Sequence, residues 1–375
     1  MKICIDSFER IKMKVQNNKT KLIIFGAGAI GTVTTPAILK EKGIGDYVQF
    51  YIDNDADKWN KQIEVLNRQI TIFSMDKLKV IDGNKYCILL TISRFSEVLE
   101  QLEGYNNLEE TECYIIPMLC IENFKGGAQD LFVKQTEEQI IPKVINYMWL
   151  GRKQIPKALQ YCIDSWKKYC PDYEIKCWNE DNYDIDKIPY MKQAYEKGAY
   201  GFVPDYARLD ILYNYGGIYL DTDVELVKSL DDLLFQEAFC SVEKWQIINF
   251  GGGSGARKGC KIIGEMAKQR ADIEYLYKNE KQNRNTCGYY DTKILQDYGY
   301  KPNGRLQNIQ GMTVYPYEVF HSYDYMTGQI MKTSNTYGIH HFNGGWLDES
   351  QKKANQITSF NYERIYQRAK HEGEG

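Results

Sequence analysis

The sequence lacks any apolar run of 18 residues, and its first residues, 1–6, already include charged side chains. A membrane-spanning helix needs a run of about that length, and a secretory signal peptide needs an apolar stretch near its start. We therefore expect neither feature. The interpretation that follows is a cytoplasmic protein, which would reach a membrane-linked acceptor by peripheral docking at the inner face of the membrane.

Paired cysteines are also missing, because none of the ten cysteines forms a Cys-x-x-Cys pair. A zinc site of the usual spacing is therefore not expected, and scattered cysteines of this kind are typical of reduced thiols in the cytoplasm. The chain has no basic excess either, since 47 Lys and Arg stand against 50 Asp and Glu. This balance gives no indication of the concentrated positive surface that is typical of nucleic-acid-binding proteins, so no nucleic-acid partner is expected.

The length and composition favour a folded protein of two α/β domains. The chain has 375 residues, of which 43% are hydrophobic, and this is long for a single compact domain. Four strands are predicted at 21–25, 47–52, 86–91 and 113–116. Because helical segments alternate with them, they indicate a parallel, Rossmann-like sheet. We predict a Rossmann-like domain at 1–125, a polar linker at 126–140 and a second domain at 141–375.

A glycine-rich turn follows the first of these strands. Gly26, Gly28 and Gly31 have the spacing of a dinucleotide-binding turn, and Asp53 ends the next strand. In Rossmann folds such glycines let a pyrophosphate approach a helix N-terminus, and the acidic residue binds a ribose. An NAD-dependent oxidoreductase and a nucleotide-binding module are therefore alternative readings of this segment. A third is a binding or assembly module that has kept only the fold, and we favour it because no catalytic residue stands out nearby.

The second domain contains a predicted helix that carries an aspartate and an arginine on one face. Pro204 suits the first turn of a helix, and Gly216 is a natural stop at its end. Between them, Asp205 and Arg208 are three residues apart, and this spacing places them on the same side of the helix. Both side chains should therefore point toward whatever lies beside the start of the helix.

Two aspartates follow the next strand. Residues two apart in extended chain share a face, so Asp221 and Asp223 should converge and offer oxygen ligands that suit Mn²⁺ or Mg²⁺. A cation bound there would stabilise the negative charge that develops on a departing diphosphate. Three other Asp-x-Asp pairs occur in the chain, at 53/55, 55/57 and 184/186. Only the pair at 221/223 follows a buried strand next to a helix with an aligned Asp and Arg.

These residues resemble glycosyltransferase family 32, whose members share a DXD sugar-binding motif. The matching stretches, in the order that the family shows, are IPKVINYMWLG at 141–151, PDYEIKCWNED at 171–181, the Asp205 and Arg208 helix, GGIYLDTD at 216–223 and HHFNGGW at 340–346. The resemblance covers roughly 141–348. It implies a GT-A fold, a nucleotide-sugar donor, a divalent cation and retention of the anomeric configuration.

The resemblance also implies roles for single residues at the donor site. Trp149 would stack on the nucleotide base, Tyr219 would contribute to donor binding, and Trp346 would contact the diphosphate. Asp205 and Arg208 would hold the hydroxyl groups of the donor sugar by charge-assisted hydrogen bonds.

At the cation, the resemblance implies that Asp223 is a direct ligand and that Asp221 contacts the ribose and a metal-bound water. Of the two adjacent histidines at 340 and 341, one should point inward and the other outward in an extended segment; the resemblance favours His341 as a further ligand. The other two histidines, His321 and His371, have no partner spacing and are expected on the surface or in loops. The resulting hypothesis is a retaining, metal-dependent hexosyltransferase. It would use a UDP- or GDP-sugar and a carbohydrate or glycolipid acceptor, in the synthesis of a bacterial capsule or surface polysaccharide.

Overall fold

The computed structural model describes residues 1–124, 131–344 and 349–373, which form two large β-sheets with helices packed against them. The strands are β1 (Lys2–Cys4), β2 (Lys21–Phe25), β3 (Val48–Ile52), β4 (Gln62–Val65), β5 (Arg68–Phe73), β6 (Tyr86–Leu90), β7 (Glu112–Ile115), β8 (Val144–Met148), β9 (Glu174–Trp178), β10 (Gly217–Tyr219), β11 (Val224–Leu226), β12 (Ala238–Val242), β13 (Ile248–Asn249), β14 (Ser254–Ala256), β15 (Gln307–Ile309), β16 (Met312–Tyr315), β17 (Tyr323–Asp324), β18 (Gln329–Ile330) and β19 (Gly338–His340). The α-helices are α1 (Phe8–Asn17), α2 (Thr35–Glu41), α3 (Ser96–Glu103), α4 (Ile116–Asn123), α5 (Lys157–Tyr169), α6 (Pro189–Glu196), α7 (Pro204–Tyr215), α8 (Lys261–Ala271), α9 (Cys287–Asp297) and α10 (Glu349–Gly373).

The first sheet has the order β1-β7-β6-β2-β3-β5-β4. Every neighbouring pair is parallel except β4 and β5. The four predicted strands are β2, β3, β6 and β7, and their nearly continuous apolar sequence fits strands that are covered on both faces. The strand order changes direction at β2, so the glycine-rich turn that follows β2 lies at the switch point of the sheet. The predicted parallel α/β sheet is therefore confirmed.

The second sheet has the order β15-β16-β12-β14-β10-β8-β9, with β13 paired to β12. It is mixed, because β8 is parallel to both β9 and β10 while β14 is antiparallel to β10 and β12. Parallel neighbours end at the same edge of a sheet. Trp149, which follows β8, and Asp221, which comes shortly after β10, therefore lie along one edge, and this is where the candidate site is found.

The last helix returns to the first sheet. Glu372 on α10 accepts a hydrogen bond from the backbone N–H of Ile3 (2.6 Å), and Arg368 donates to the carbonyl of Met1 (3.2 Å). Tyr362 and Ile365 belong to the same buried apolar cluster as Ile3. The final segment of the predicted second domain therefore packs on the first sheet. The domain boundaries themselves stay a prediction. Although α10 has 25 residues, no helix in the described part of the chain is long and apolar enough to cross a membrane.

Candidate donor and metal site

Helix α7 and strand β10 bring the site together through a turn that requires glycine. The helix begins at Pro204 and ends before Gly216, which has a φ of +74°. Gly217 has a φ of +96°, and a Cβ at this position would lie 2.7 Å from the carbonyl oxygen of Val144. A side chain there would clash with the backbone of β8. The two glycines therefore end the helix and let β10 pair with β8, as the sequence predicted for the helix and its stop.

Arg208 of α7 lies between two carboxylates. Its Nη2 is 3.6 Å from Oδ1 of Asp205 and donates to Oδ1 of Asp221 at 3.2 Å. Asp205 and Arg208 are 5% and 3% exposed, so both charges are almost fully removed from water. Burial raises the pKa of Asp205, while the positive charge of Arg208 opposes this shift. The predicted acid and guanidinium do share one face, and that face meets the tip of the DXD strand.

A second group converges at the same tip. Ligand atoms of Asp221, Asp223 and His340 all lie within 4.8 Å of one another. Oδ1 of Asp223 is 3.2 Å from Nε2 of His340, and Oδ2 of Asp223 accepts the backbone N–H of Asn343 at 2.9 Å. Burial alone would raise the pKa of Asp223, but the charge of His340 and these hydrogen bonds lower it to about 2. Asp223 is therefore ionised at neutral pH.

These three residues fit a divalent cation. Nδ1 of His340 is buried without a hydrogen-bond partner, and such an orphaned atom calls for a ligand or another explanation. A Cβ on Gly251 would lie 2.0 Å from Oδ2 of Asp221, and a Cβ on Gly252 would lie 2.9 Å from Nδ1 of His340. Glycine backbone therefore packs closely around the donor atoms and leaves no room for side chains. Carboxylates suit Mn²⁺ and Mg²⁺, and imidazole binds first-row divalent metals.

The structure corrects the choice of histidine. Strand β19 pairs with β11 so that His340 lies opposite Val224, and consecutive side chains of a strand point to opposite faces. His340 consequently faces Asp223, whereas Nε2 of His341 lies 3.0 Å from Oε2 of Glu225. The histidine in the cluster is thus His340 and not the predicted His341.

A further correction concerns His321, which was expected on the surface or in a loop. It is 1% exposed, its ring centroid is 5.4 Å from that of His340, and its Nδ1 lies 3.1 Å from the hydroxyl of Ser241. The bridge between His321 and Ile339 brings it there. No local signal in the sequence could have shown this contact, because it depends on the pairing of distant segments.

The residues assigned to donor binding lie in different surroundings. Trp149 is half-buried at the same edge of the sheet as Asp221, and its Nε1 donates to the carbonyl of Lys153 at 2.6 Å. Tyr219 is 1% exposed, and the guanidinium of Arg208 lies over its ring at 5.6 Å. Tyr219 therefore packs against the guanidinium of Arg208, and its ring is not exposed on the protein surface. Trp346 lies outside the described residues.

In the first sheet, Asp53 forms a hydrogen bond to the backbone of the glycine-rich turn. Gly26 has a φ of +109°, and a Cβ on Gly31 would lie 1.9 Å from the carbonyl oxygen of Gly26, so both positions require glycine. Asp53 accepts the N–H of Ala27 at 2.7 Å through one oxygen, and its other oxygen accepts a second backbone N–H. Both oxygens of this acid are therefore already engaged in hydrogen bonds within the protein. Nucleotide binding by Gly26, Gly28, Gly31 and Asp53 stays a prediction, and these contacts favour the module that has kept only the fold.

A buried ion pair behind the site was not predicted from the sequence. Asp291 on α9 is fully buried, and Nε of Arg270 on α8 lies 3.7 Å from its Oδ1. Arg270 also lies 3.9 Å from Asp205. Neither carboxylate oxygen of Asp291 has a hydrogen-bond partner. Burial raises the pKa of Asp291 to about 7, although the charge of Arg270 opposes this shift.

This raised pKa predicts a pH dependence of stability. Between about pH 4 and pH 7 the folded chain keeps a proton on Asp291 that the unfolded chain has released, so the free energy of unfolding should fall as the pH rises. The loss is on the order of 4 kcal/mol for this residue, since each pKa unit corresponds to about 1.4 kcal/mol. Asp291→Asn should remove this pH dependence. As the pH rises, the free energy of unfolding of the parent should therefore fall relative to that of the variant. Urea unfolding at several pH values tests this, and parallel pH curves for the two proteins would contradict it.

Comparison with known proteins agrees with the site. Residues 156–240 match the family model described as "Glycosyltransferase sugar-binding region containing DXD motif". Inositol phosphoceramide mannosyltransferase 3 of Schizosaccharomyces pombe is 33% identical over 115 residues, which are 28% of this chain and 31% of that protein. An uncharacterized glycosyltransferase, L373, of Acanthamoeba polyphaga mimivirus is 28% identical over 170 residues, which are 42% of this chain and 64% of that protein. The chain thus spans about a third of the length of the first of these relatives.

Solved structures of glycosyltransferases are similar at a lower level. The PaToxG glycosyltransferase has a TM-score of 0.33 and 16% identity, covering 55% of this chain and 78% of that one. The galactosyltransferase LgtC, solved with donor and acceptor sugar analogues, has a TM-score of 0.30 and 14% identity, covering 61% and 95%. Similarity at this level adds nothing to the fold described above. The family model and the sequence relatives carry the comparison: residues 156–240 are similar to a glycosyltransferase sugar-binding region that contains a DXD motif, as the resemblance in the sequence predicted.

Proposed function

We propose that this chain is a glycosyltransferase that moves a hexose from a nucleoside-diphosphate sugar to an acceptor hydroxyl. The observation that carries the proposal is the convergence of Asp221, Asp223 and His340 beside the buried pair of Asp205 and Arg208. Anionic and cationic side chains thus meet at the carboxyl edge of the second sheet. This edge is where ligands bind in open α/β sheets.

Each part of this arrangement suits one part of the donor. Asp221, Asp223 and His340 would hold a divalent cation, which supplies stabilisation of the charge on the departing diphosphate when it is bound. Asp205 and Arg208 would hold the sugar hydroxyls and fix the sugar against the strand tip. Because both are buried and paired before the donor arrives, little reorganisation is needed when it binds.

We further propose that transfer proceeds on one face of the sugar with retention of configuration, as the family resemblance implies. In this reaction the bond between the anomeric carbon and the leaving phosphate oxygen breaks while the acceptor oxygen attacks from the same side. The leaving phosphate oxygen takes the proton of the acceptor hydroxyl, so the protein supplies no base. The anomeric configuration of the isolated product, read by NMR, tests this, and an inverted product would contradict it.

The sugar and the acceptor are proposed from the relatives. Since the fission yeast relatives are named as inositol phosphoceramide mannosyltransferases, mannose is the first sugar to test and a lipid-linked headgroup the first acceptor. Synthesis of a bacterial capsule or surface polysaccharide is the biological role that the resemblance implies. A screen of donor hydrolysis with UDP- and GDP-sugars in Mn²⁺ would identify the donor. NAD(H) is included as a ligand in parallel thermal shifts, because stabilisation by dinucleotide alone would favour the oxidoreductase alternative.

Removal of divalent cations is expected to abolish donor hydrolysis. Chelation with EDTA should lower the rate by at least about 10²-fold, because the charge on the departing diphosphate would lose its main partner. Dialysis followed by Mn²⁺ or Mg²⁺ should restore the rate. Initial rates at increasing Mn²⁺ measure this dependence. A rate that survives EDTA would show that the aspartates at 221 and 223 have another role.

A further inference from the structure

Phe342 has an unusual backbone conformation next to the candidate cation site. Its φ is +49°, a left-handed conformation that a bulky residue rarely adopts and that persists only where the surroundings fix it. Its ring stacks on the imidazole of His340, with 4.1 Å between the ring centroids and 24° between the planes. The strained backbone thus places an aromatic ring flat against a residue of the proposed cation site.

A second aromatic ring connects Phe342 to the first half of the chain. The centroid of Tyr325 lies 5.6 Å from that of Phe342, and Tyr325 packs against the apolar core of the first sheet. Tyr325 is also hydrogen-bonded to the side chain of Ser93. Ser93 lies in the loop after β6, where Thr91 bonds to the carbonyl of Gly26. Tyr325 therefore connects Phe342 to the apolar cluster that contains the core of the first sheet.

Besides Phe342, the imidazole of His340 has one polar partner, and the ring of His321 lies 5.4 Å away between centroids. Nε2 contacts Asp223 at 3.2 Å, and Nδ1 has no hydrogen-bond partner. Metal ligands usually have their ring plane fixed by a hydrogen bond from the second ring nitrogen. The stacked ring of Phe342 adds a further restraint to this contact with Asp223, because it limits rotation of the imidazole about its side-chain torsion.

We propose that Phe342 is a positioning residue that holds the His340 ring in the orientation required for cation binding, and that the first half of the chain supports it through Tyr325. This inference rests on the proposed function, since it presumes that His340 binds a cation. It gives the first domain a role in the transfer site without requiring that domain to bind a nucleotide.

The test is the affinity for Mn²⁺ alone, measured from the electron paramagnetic resonance signal of free Mn²⁺. Phe342→Gly should weaken Mn²⁺ binding by about 10-fold or more, the range found when groups that orient metal ligands are removed. Glycine adopts positive φ without strain, so the thermal midpoint should stay close to that of the parent. Phe342→Tyr keeps the ring and should restore the affinity. Tyr325→Leu should give a smaller loss in the same direction.

Two controls separate the possible outcomes. Phe73→Leu removes a partly buried aromatic ring of the first sheet that contacts Phe50, and it should leave Mn²⁺ affinity unchanged. Asp223→Asn removes a proposed ligand and should abolish binding. If Phe342→Gly binds Mn²⁺ as tightly as the parent while Asp223→Asn does not bind it, the positioning role is overturned and the cation site stands. If the parent itself binds no Mn²⁺, the cation site and the inference both fail.

Discussion

Asp223→Asn is expected to lower donor hydrolysis and transfer by about 10³-fold, the largest effect of any single substitution considered for this chain. Asp223 is mostly buried, ionised and in contact with His340. Asparagine keeps its shape and can still accept the N–H of Asn343, but it removes the negative charge that a divalent cation requires. The effect should therefore appear in the rate constant kcat and in the affinity for Mn²⁺, with little change in the thermal midpoint.

The chain offers a matched control for this substitution. Asp186 belongs to another Asp-x-Asp pair, at 184/186, and its side chain is 68% exposed beside Lys192. Asp186→Asn removes the same charge in a similar local sequence, and the kinetic constants should not change. Steady-state hydrolysis of the donor sugar, measured for both variants at saturating Mn²⁺, makes the comparison. Near-normal activity of Asp223→Asn would show that this residue is not a ligand.

Arg208→Lys is expected to lower kcat/KM for the donor by about 10²-fold or more, because lysine cannot replace a guanidinium that serves two carboxylates. Arg208 contacts Asp205 and Asp221 at once. An ammonium group reaches one of them at best, so the other carboxylate would lose its contact with this cation. We also expect a loss of about 1–3 kcal/mol in the free energy of unfolding.

The control for Arg208 is an arginine in an open ion pair. Arg257 pairs with Glu237, and their side chains are 40% and 38% exposed. Arg257→Lys should change neither the donor kinetics nor the unfolding free energy by more than about 1 kcal/mol. Urea unfolding and kcat/KM for both variants are the measurements. If Arg208→Lys retained more than half of the parent activity, the sugar clamp would have to be assigned to other residues.

The parts of the site that follow from local sequence were predictable. Pro204 and Gly216 mark the ends of α7, and the spacing of Asp205 and Arg208 places them on one face. The position of Asp221 shortly after the end of β10 also follows from the local pattern, because a short apolar segment after two glycines ends there. These features depend on residues within a few positions of one another, so a single sequence contains the information.

The parts that failed depend on pairing between distant segments. The choice between His340 and His341 is made by the register of β19 against β11, which are more than a hundred residues apart in the chain. His321 is buried for the same reason. Arg270 and Asp291 lie on separate helices, and nothing in the spacing of either residue indicates that they meet behind Asp205. In the first sheet the strands β1, β4 and β5 were missed because they are short or carry charged residues.

The return of α10 to β1 also limits how this molecule can be dissected. A fragment that stops near residue 125 would uncover the apolar surface formed by Ile3 and Leu99, which Tyr362 and Ile365 cover in the intact chain. Such a fragment is expected to aggregate through this exposed apolar surface, even though it contains every strand of the first sheet. A separately expressed amino-terminal half would therefore need residues 349–373 supplied, either as an added peptide or joined back through a short linker.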